Sequence, residues 1–250
     1  MTDEVMRRGA LFIREAAIDW DQVPRDSYLR DIPALRGFDR LAFDGNVTFF
    51  AGENGTGKST LLEGIAVAYG YNAEGGTQNY HFSTYHDVSE LEEAIRLVRG
   101  YRKRNSGYFF RAESFFNVAT ATALQYNDDG RLPDYHAQSH GESFLTFLQD
   151  ECREGVYLMD EPEAALSPQR QLTLMLHIHS MALEGSQFII ATHSPILLGL
   201  PEARILNFSE AGIHPVRYEE TESYQITKLF LERRDLMLKE LFGEAEAKND

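Results

Sequence analysis

Eight consecutive residues, Gly52-Glu53-Asn54-Gly55-Thr56-Gly57-Lys58-Ser59, have the composition of a phosphate-binding loop. A polyphosphate must be wrapped by backbone N–H groups, which demands tight turns and no Cβ where the chain nears the oxygens. Gly52, Gly55 and Gly57 supply that freedom. A helix starting at Gly57 or Lys58 points its positive end at the phosphates, Lys58 reaches the β and γ oxygens, and the Ser59 hydroxyl takes a place on Mg²⁺. Residues Gly52 to Thr60 are thus the candidate contacts to a nucleoside triphosphate, with Glu53, Asn54 and Thr56 between the glycines.

Two further clusters carry chemistry. Val156-Tyr157-Leu158-Met159 is an apolar run that ends in two adjacent carboxylates, Asp160 and Glu161. Asp160 is placed to hold Mg²⁺, directly or through water, and Glu161 to orient and deprotonate an attacking water. After the next apolar run, Ala191-Thr192-His193-Ser194-Pro195 sets a histidine at the same sheet edge, where it can contact a γ-phosphate and sense its loss. A weaker signal precedes a helix at Gln138-Ser139-His140-Gly141-Glu142-Ser143. There the Ser139 hydroxyl and the Gly141 N–H form a second anion-binding helix end, or simply an ordinary cap.

The elements that must position these groups follow from periodicity. Residues 10–19 and 38–51 read as strands broken apart by Pro24 and Pro33, with Asn46 to Ala51 the short buried strand ahead of the loop. Behind the loop, Leu61, Leu62, Ile65 and Ala68 share one helical face. A polar stretch at 69–87 reads as a loop or lid, and the capping box Ser89-Glu90-Leu91-Glu92 opens a helix to about Arg104 with Leu91, Ile95 and Val98 on one side. Residues 108–112 form a strand, 141–153 a helix, 156–159 a strand, 168–184 a helix opened by Pro168, and 187–191 a further buried strand. A last helix, 223–242, carries Ile226, Leu229, Phe230, Met237, Leu241 and Phe242, a face expected to pack on its own domain, with contact to a partner or a second copy as the sharper alternative. Strands alternating with helices give an α/β fold: a mainly parallel central sheet, with the ligand at the carboxyl ends of its strands.

Composition bounds the function. The 250 residues, 43% of them hydrophobic, suffice for one sizeable core. A single cysteine, Cys152, excludes an internal disulfide and fits a reducing cytoplasm, and no run approaches the roughly 20 apolar residues of a membrane span. We therefore expect a cytoplasmic protein without direct membrane insertion. A formal charge of -15 opposes non-specific adhesion to nucleic acid or anionic lipid. The one basic cluster, Arg99, Arg102, Lys103 and Arg104, suits the C-terminal end of a helix.

Taken in order, these blocks resemble the ATP-binding cassette (ABC) type of P-loop ATPase across roughly residues 40–200. Gly52 to Ser59 matches that family's phosphate loop, and Ser139-His140-Gly141-Glu142 resembles its LSGGQ-type signature. Asp160-Glu161-Pro162 matches its acidic block, Ala164-Ala165-Leu166-Ser167 its D-loop, and His193 its switch histidine. The phrases Asp160 to Pro168 and Phe110 to Phe116 are most similar to small bacterial stand-alone ATPases labelled "AAA family", related to the heads of SMC and double-strand-break-repair proteins. Their coiled-coil insertion has no room here, because only about 100 residues separate Lys58 from Asp160. The resemblance implies a P-loop, ABC-type head over 1–250, with N-terminal antiparallel strands and a small helical signature subdomain at about 85–150. It also implies ATP and Mg²⁺ as cofactors, and a homodimer closing head to tail on ATP. Glu113 (or Ser114) stands at the Q-loop position near the metal, and Tyr28 at that of an adenine-stacking aromatic. Departures are His140 and Glu142 in the signature, Ser167 in place of the D-loop Asp, and Glu113 in place of Gln. The implied function is a Mg²⁺-dependent ATPase that switches an effector protein, in DNA repair or anti-phage defence. The alternatives are the nucleotide-binding subunit of a membrane transporter and a weakly hydrolysing ATP-binding module of a nuclease complex.

Overall fold

Strand register, more than any single contact, decides which residues of this chain meet. The computed structural model describes residues 11–76, 90–102, 106–111, 145, 146, 148 and 152–243. The first three strands in chain order are β1 (Ile13–Ile18), β2 (Arg40–Ala42) and β3 (Val47–Gly52). Then come β4 (Ile95–Arg99), β5 (Gly107–Arg111), β6 (Val156–Asp160), β7 (Gln187–Ala191), β8 (Arg204–Ser209) and β9 (Gly212–Val216). The six-stranded sheet runs β5-β6-β7-β3-β8-β9, parallel except for the β8–β9 pair. A second, antiparallel sheet runs β2-β1-β4.

The central strands are near-continuous apolar runs because helices or the second sheet cover both faces. Alternate residues go to opposite sides. Phe50, Leu158, Ile189 and Leu206 face one core with α1 (Lys58–Tyr69) and the antiparallel sheet; Phe49, Tyr157, Met159, Phe188 and Ile190 face the other. Helix α1 buries Leu61, Leu62, Ile65, Ala66 and Tyr69, and stops at Gly70, whose left-handed backbone lets its N–H reach the carbonyls of Ala66 and Val67. On the far face α3 (Pro168–Leu183) buries Leu174 and Ile178; Ser167 caps it by accepting from the Arg170 N–H, with Pro168 at the first position.

The expected helix from Ser89 to Arg104 is corrected. Only α2 (Glu90–Ala94) is helical, and Ile95–Arg99 is a strand paired with β1. The apolar spacing of Leu91, Ile95 and Val98 fits a helix, but Ile95 and Leu97 also alternate as a strand requires, and pairing along β1 decides the matter. Val98 is consequently exposed. The basic cluster divides: Arg99 donates to the Ala68 carbonyl (2.9 Å) at the C-terminal end of α1, as a helix-capping cation would, whereas Arg102 pairs with Glu154 and donates to the Gly185 carbonyl (3.0 Å) over the Phe12 ring; Lys103 and Arg104 lie outside the described residues. The last helix is two, α5 (Glu222–Glu232) and α6 (Arg234–Phe242), broken at Arg233, and neither buries a residue. Between β7 and β8 lies the short α4 (Pro195–Leu198), capped by Ser194.

One buried side chain ties the two sheets together. The Gln187 amide oxygen accepts from the N–H groups of Phe12 (3.0 Å) and Ile13 (2.8 Å), and its Nε2 donates to the Ile13 carbonyl (2.8 Å). Replacing it by Leu strands three backbone groups in the core. We expect a loss of about 3 kcal/mol, seen as a thermal midpoint roughly 6–12 °C lower. A midpoint within about 2 °C of the wild type would show that water or a rearranged backbone satisfies them.

Candidate functional site

Parallel pairing sets Phe50 level with Ala191, Ala191 with Asp160, and Asp160 with Arg111. The carboxyl ends of four strands therefore finish at one edge, and the groups singled out in sequence follow directly from them. The phosphate loop leaves β3 at Gly52, where φ is +128° and an added Cβ would lie 2.2 Å from the Phe208 carbonyl oxygen of β8. At Gly57, the N-cap of α1, φ is +100° and a Cβ would meet Ile32 at 2.5 Å. Both positions demand glycine, one for close backbone approach and both for the left-handed turn.

Lys58 is buried, and its Nζ donates to the carbonyls of Gly52 (2.8 Å) and Glu53 (2.7 Å) at the loop's own rim. Burial pushes its pKa down, against the pull of Glu161, Asp160 and Glu163. Thr56 closes the loop by donating from Oγ1 to the Glu53 carbonyl at 2.8 Å. From the first turn of α1, the Ser59 hydroxyl donates to Asp160 Oδ1 at 2.8 Å across the loop–β6 gap. Burial raises the Asp160 pKa above the usual carboxylate range, while the Ser59 hydrogen bond and the Arg111 charge pull it back. Arg111 itself is held by Glu63 (2.8 Å) and the Ala73 carbonyl (3.0 Å).

Glu161 has a left-handed backbone, φ 47° and ψ 52°, rare for a residue with a Cβ. Its N–H donates to the Ala191 carbonyl (2.9 Å), and Pro162 opens a single 3-10 turn behind it. This turn aims the Glu161 carboxylate along the strand ends toward His193, whose Nε2 lies 3.9 Å from Glu161 Oε1, beyond hydrogen-bonding reach. His193 Nε2 is buried without a hydrogen-bond partner among the described residues. Burial, and then the Lys58 charge, lower its pKa, so the imidazole is neutral at neutral pH.

Sequence reasoning missed Glu163. Its Oε1 accepts from the backbone N–H groups of His193 (2.7 Å) and Ser194 (3.1 Å). Alongside it, Gln171 Oε1 accepts from the Ser194 hydroxyl (2.6 Å) and Gln171 Nε2 donates to the Leu166 carbonyl (3.1 Å). The acidic strand's exit turn is thereby stapled to the histidine loop. The only forewarning was a third acid at an i+2 spacing from Glu161. Glu163→Ala removes the acceptor from two main-chain donors and is expected to cost about 2–3 kcal/mol of stability, whereas Glu163→Gln keeps an acceptor and most of that stability. Urea denaturation of both variants checks this, and equal losses would mean that charge, not acceptance, matters.

A cavity of about 450 Å³ opens beside the loop, lined by Ala51 to Asn54, Thr192 and His193, and by Thr221, Glu222, Ser223, Ile226 and Thr227 at the start of α5. The α5 contribution had no motif to announce it. Tyr28 is 58% exposed on a 3-10 turn, and the neighbouring Ile32 packs on Gly57. Glu113, Ser114, Ser139, His140, Gly141 and Glu142 lie outside the described residues.

The donor set fits a magnesium–nucleotide pair. Positive-φ glycines make a cradle that a Cβ would fill, a buried cation sits at its rim, and two hard oxygens meet at 2.8 Å between loop and strand. Among the described residues no group of three His, Cys, Asp or Glu side chains could hold a metal alone, so phosphate oxygens would have to complete such a shell.

A family model described as "AAA domain" matches residues 28–139, and one described as "AAA domain, putative AbiEii toxin, Type IV TA system" matches 120–199. The first covers the phosphate loop and the second Asp160, Glu161 and His193. Each model covers less than half of the chain, and in order they follow the blocks by which the sequence resembles P-loop ATPases of the ABC type. The chain is 28% identical over 187 residues to the ribose import ATP-binding protein RbsA 2 of Rhizobium johnstonii, covering 64% of this chain and 36% of that protein. It is also 28% identical over 196 residues to the hemin import ATP-binding protein HmuV of Rhodococcus jostii, covering 68% and 64%. The match thus spans about a third of the first relative and just under two thirds of the second. Among solved structures, the SMC head domain from Thermotoga maritima aligns over 83% of this chain and all of its own, with a TM-score of 0.47 at 12% identity. No helix among the described residues is long and apolar enough to cross a membrane.

Proposed function

We propose that this domain binds and hydrolyses ATP with Mg²⁺, closing as a head-to-tail homodimer on ATP and reopening after hydrolysis to switch an effector protein. The observation that supports it is the convergence, at one sheet edge, of Lys58, the Ser59–Asp160 pair and the Glu161–His193 pair. Mg²⁺ bound there would neutralise charge on the β and γ oxygens. Loop amides from Gly52 to Thr60 wrap the phosphates, and Lys58 exchanges its two carbonyl acceptors for phosphate oxygens. Ser59 and Asp160 hold the cation, directly or through water. Glu161 takes a proton from the attacking water, and neutral His193 offers Nε2 to the γ-phosphate. Ser139 and Gly141 of the second copy complete the phosphate shell, with Glu113 near the metal.

The toxin and toxin–antitoxin description of the second family supports anti-phage defence as the process in which that effector acts. Transport is the second reading, because both curated relatives are import ATP-binding proteins. Phosphate release from Mg-ATP, with light scattering in the presence and absence of ATP, tests the enzyme and the dimer together. A monomer that never releases phosphate contradicts both.

A further inference from the structure

Main-chain pairing between β6 and β7 stops at the sheet edge, where the chemistry begins. The two strands are in register as far as Asp160 and Ala191, and the Glu161 N–H, donating to the Ala191 carbonyl (2.9 Å), closes that ladder. Beyond it, the turns that carry Glu161 and His193 are joined by a side chain: Glu163 Oε1 accepts from the N–H groups of His193 (2.7 Å) and Ser194 (3.1 Å). One carboxylate oxygen takes over where the backbone pairing ends.

Both sides of this join are braced. Glu163 sits in the 3-10 turn that Pro162 opens, held by the Ala164 N–H on the Glu161 carbonyl (3.0 Å) and the Leu166 N–H on the Glu163 carbonyl (2.9 Å). On the other side, Thr192 Oγ1 also accepts from the Ser194 N–H (3.0 Å), and the Ser194 hydroxyl caps α4 by accepting from Ile196 and Leu197 (both 3.1 Å). The position of the His193 main chain is therefore set from Glu163, and the imidazole follows it into the wall of the cavity beside Gly52 to Asn54.

The join is not built for stability alone. Among the described residues, three buried side-chain polar atoms lack a hydrogen-bond partner, and two of them, Glu163 Oε2 and His193 Nε2, belong to its two ends. An unpaired buried polar atom destabilises a fold, and such atoms gathered at one place point to a function that keeps them free.

We propose that Glu163 is a positioning residue: by holding the His193 main chain against the turn that carries Glu161, it sets the reach of the imidazole to the γ-phosphate and so how strongly the site prefers triphosphate to diphosphate. The role rests on ATP binding at this edge, as proposed for the domain. Contacts from the phosphate loop to the α- and β-phosphates are common to ATP and ADP, so a change made through His193 falls on the difference between them. An acceptor at the right distance suffices, and the charge is not required.

Calorimetric titration of the full chain with Mg-ATPγS and with Mg-ADP gives the ratio of the two affinities. His193→Ala is expected to lower that ratio at least about tenfold and Glu163→Ala at least about fivefold, through weaker binding of Mg-ATPγS alone. The double variant should lie within about twofold of His193→Ala, because Glu163 acts through the imidazole. A merely structural loss would weaken both nucleotides alike and add to the effect of His193→Ala. Glu163→Gln, which keeps the acceptor, should restore the ratio, whereas Glu163→Asp, which keeps the charge but withdraws the oxygen by a methylene, should not. That contrast decides the matter even where Glu163→Ala fails to fold. A Glu163→Ala chain with the wild-type ratio, losses that multiply in the double variant, or Glu163→Asp nearer the wild type than Glu163→Gln would overturn the positioning role and leave nucleotide binding standing. Failure of the proposed function has a different signature: a wild type that binds neither nucleotide, or His193→Ala without effect on the ratio, removes the γ-phosphate contact and the part of Glu163 with it.

Discussion

Lys58→Ala removes nucleotide binding, with at least about a hundredfold loss of affinity for Mg-ATP in calorimetric titration. The buried ammonium is satisfied by only two carbonyls of its own loop, so it can transfer to phosphate oxygens at little cost in displaced partners. Each charge-assisted hydrogen bond is worth about 1.5–3 kcal/mol, and losing two of them accounts for the expected factor. Stability should change little. The Gly52 and Glu53 carbonyls lose a donor, but a cation whose pKa is already depressed by burial no longer has to be kept out of water. A folded Lys58→Ala chain that binds ATP as the wild type does would remove the phosphate-loop reading.

Glu161→Gln should stop turnover while sparing binding. The amide matches the carboxylate in shape and leaves the left-handed turn into Pro162 undisturbed, but it cannot accept a proton from water. General-base loss lowers such rates about 10²- to 10⁴-fold, so single-turnover phosphate release is expected to fall by at least about a hundredfold. Affinity should hold or rise, because one negative charge beside the phosphates disappears. With hydrolysis blocked, the ATP-bound dimer should persist in light scattering. Unchanged single-turnover release would mean that another group activates the water, with His193 and Glu163 the nearest alternatives.

The parts of the fold that were legible are those whose local and global demands agree. The runs before Gly52, at Val156 and after Gln187 are mostly apolar because both of their faces are covered, and each leads directly to a residue with chemistry: the loop at Gly52, Asp160, and His193 two residues past Ala191. Helix α1 was legible because its apolar face and its terminating Gly70 point the same way. Residues 95–99 misled, since Leu91, Ile95 and Val98 satisfy helical spacing and only the distant strand β1 makes the alternation of Ile95 and Leu97 the better solution. The last helix misled in another manner: periodicity reveals a face but not its partner, and Leu229 and Phe230 find none within the described chain. Within the candidate site, Lys58, Ser59, Asp160, Glu161 and His193 were found from their spacing. Glu163 and the α5 residues were not, because they act through backbone amides and cavity walls that no linear pattern encodes.

The Gln187 amide carries a consequence for how the molecule comes apart. Its three hydrogen bonds join the backbone at Phe12 and Ile13, where β1 begins, to the first residue of β7. Neither sheet can open at that seam without exposing polar groups of the other, so the antiparallel strands do not form a separately melting layer. In amide hydrogen exchange, β1 and β7 would share one protection class and a single opening free energy, making the two sheets a single cooperative unit beneath the nucleotide edge.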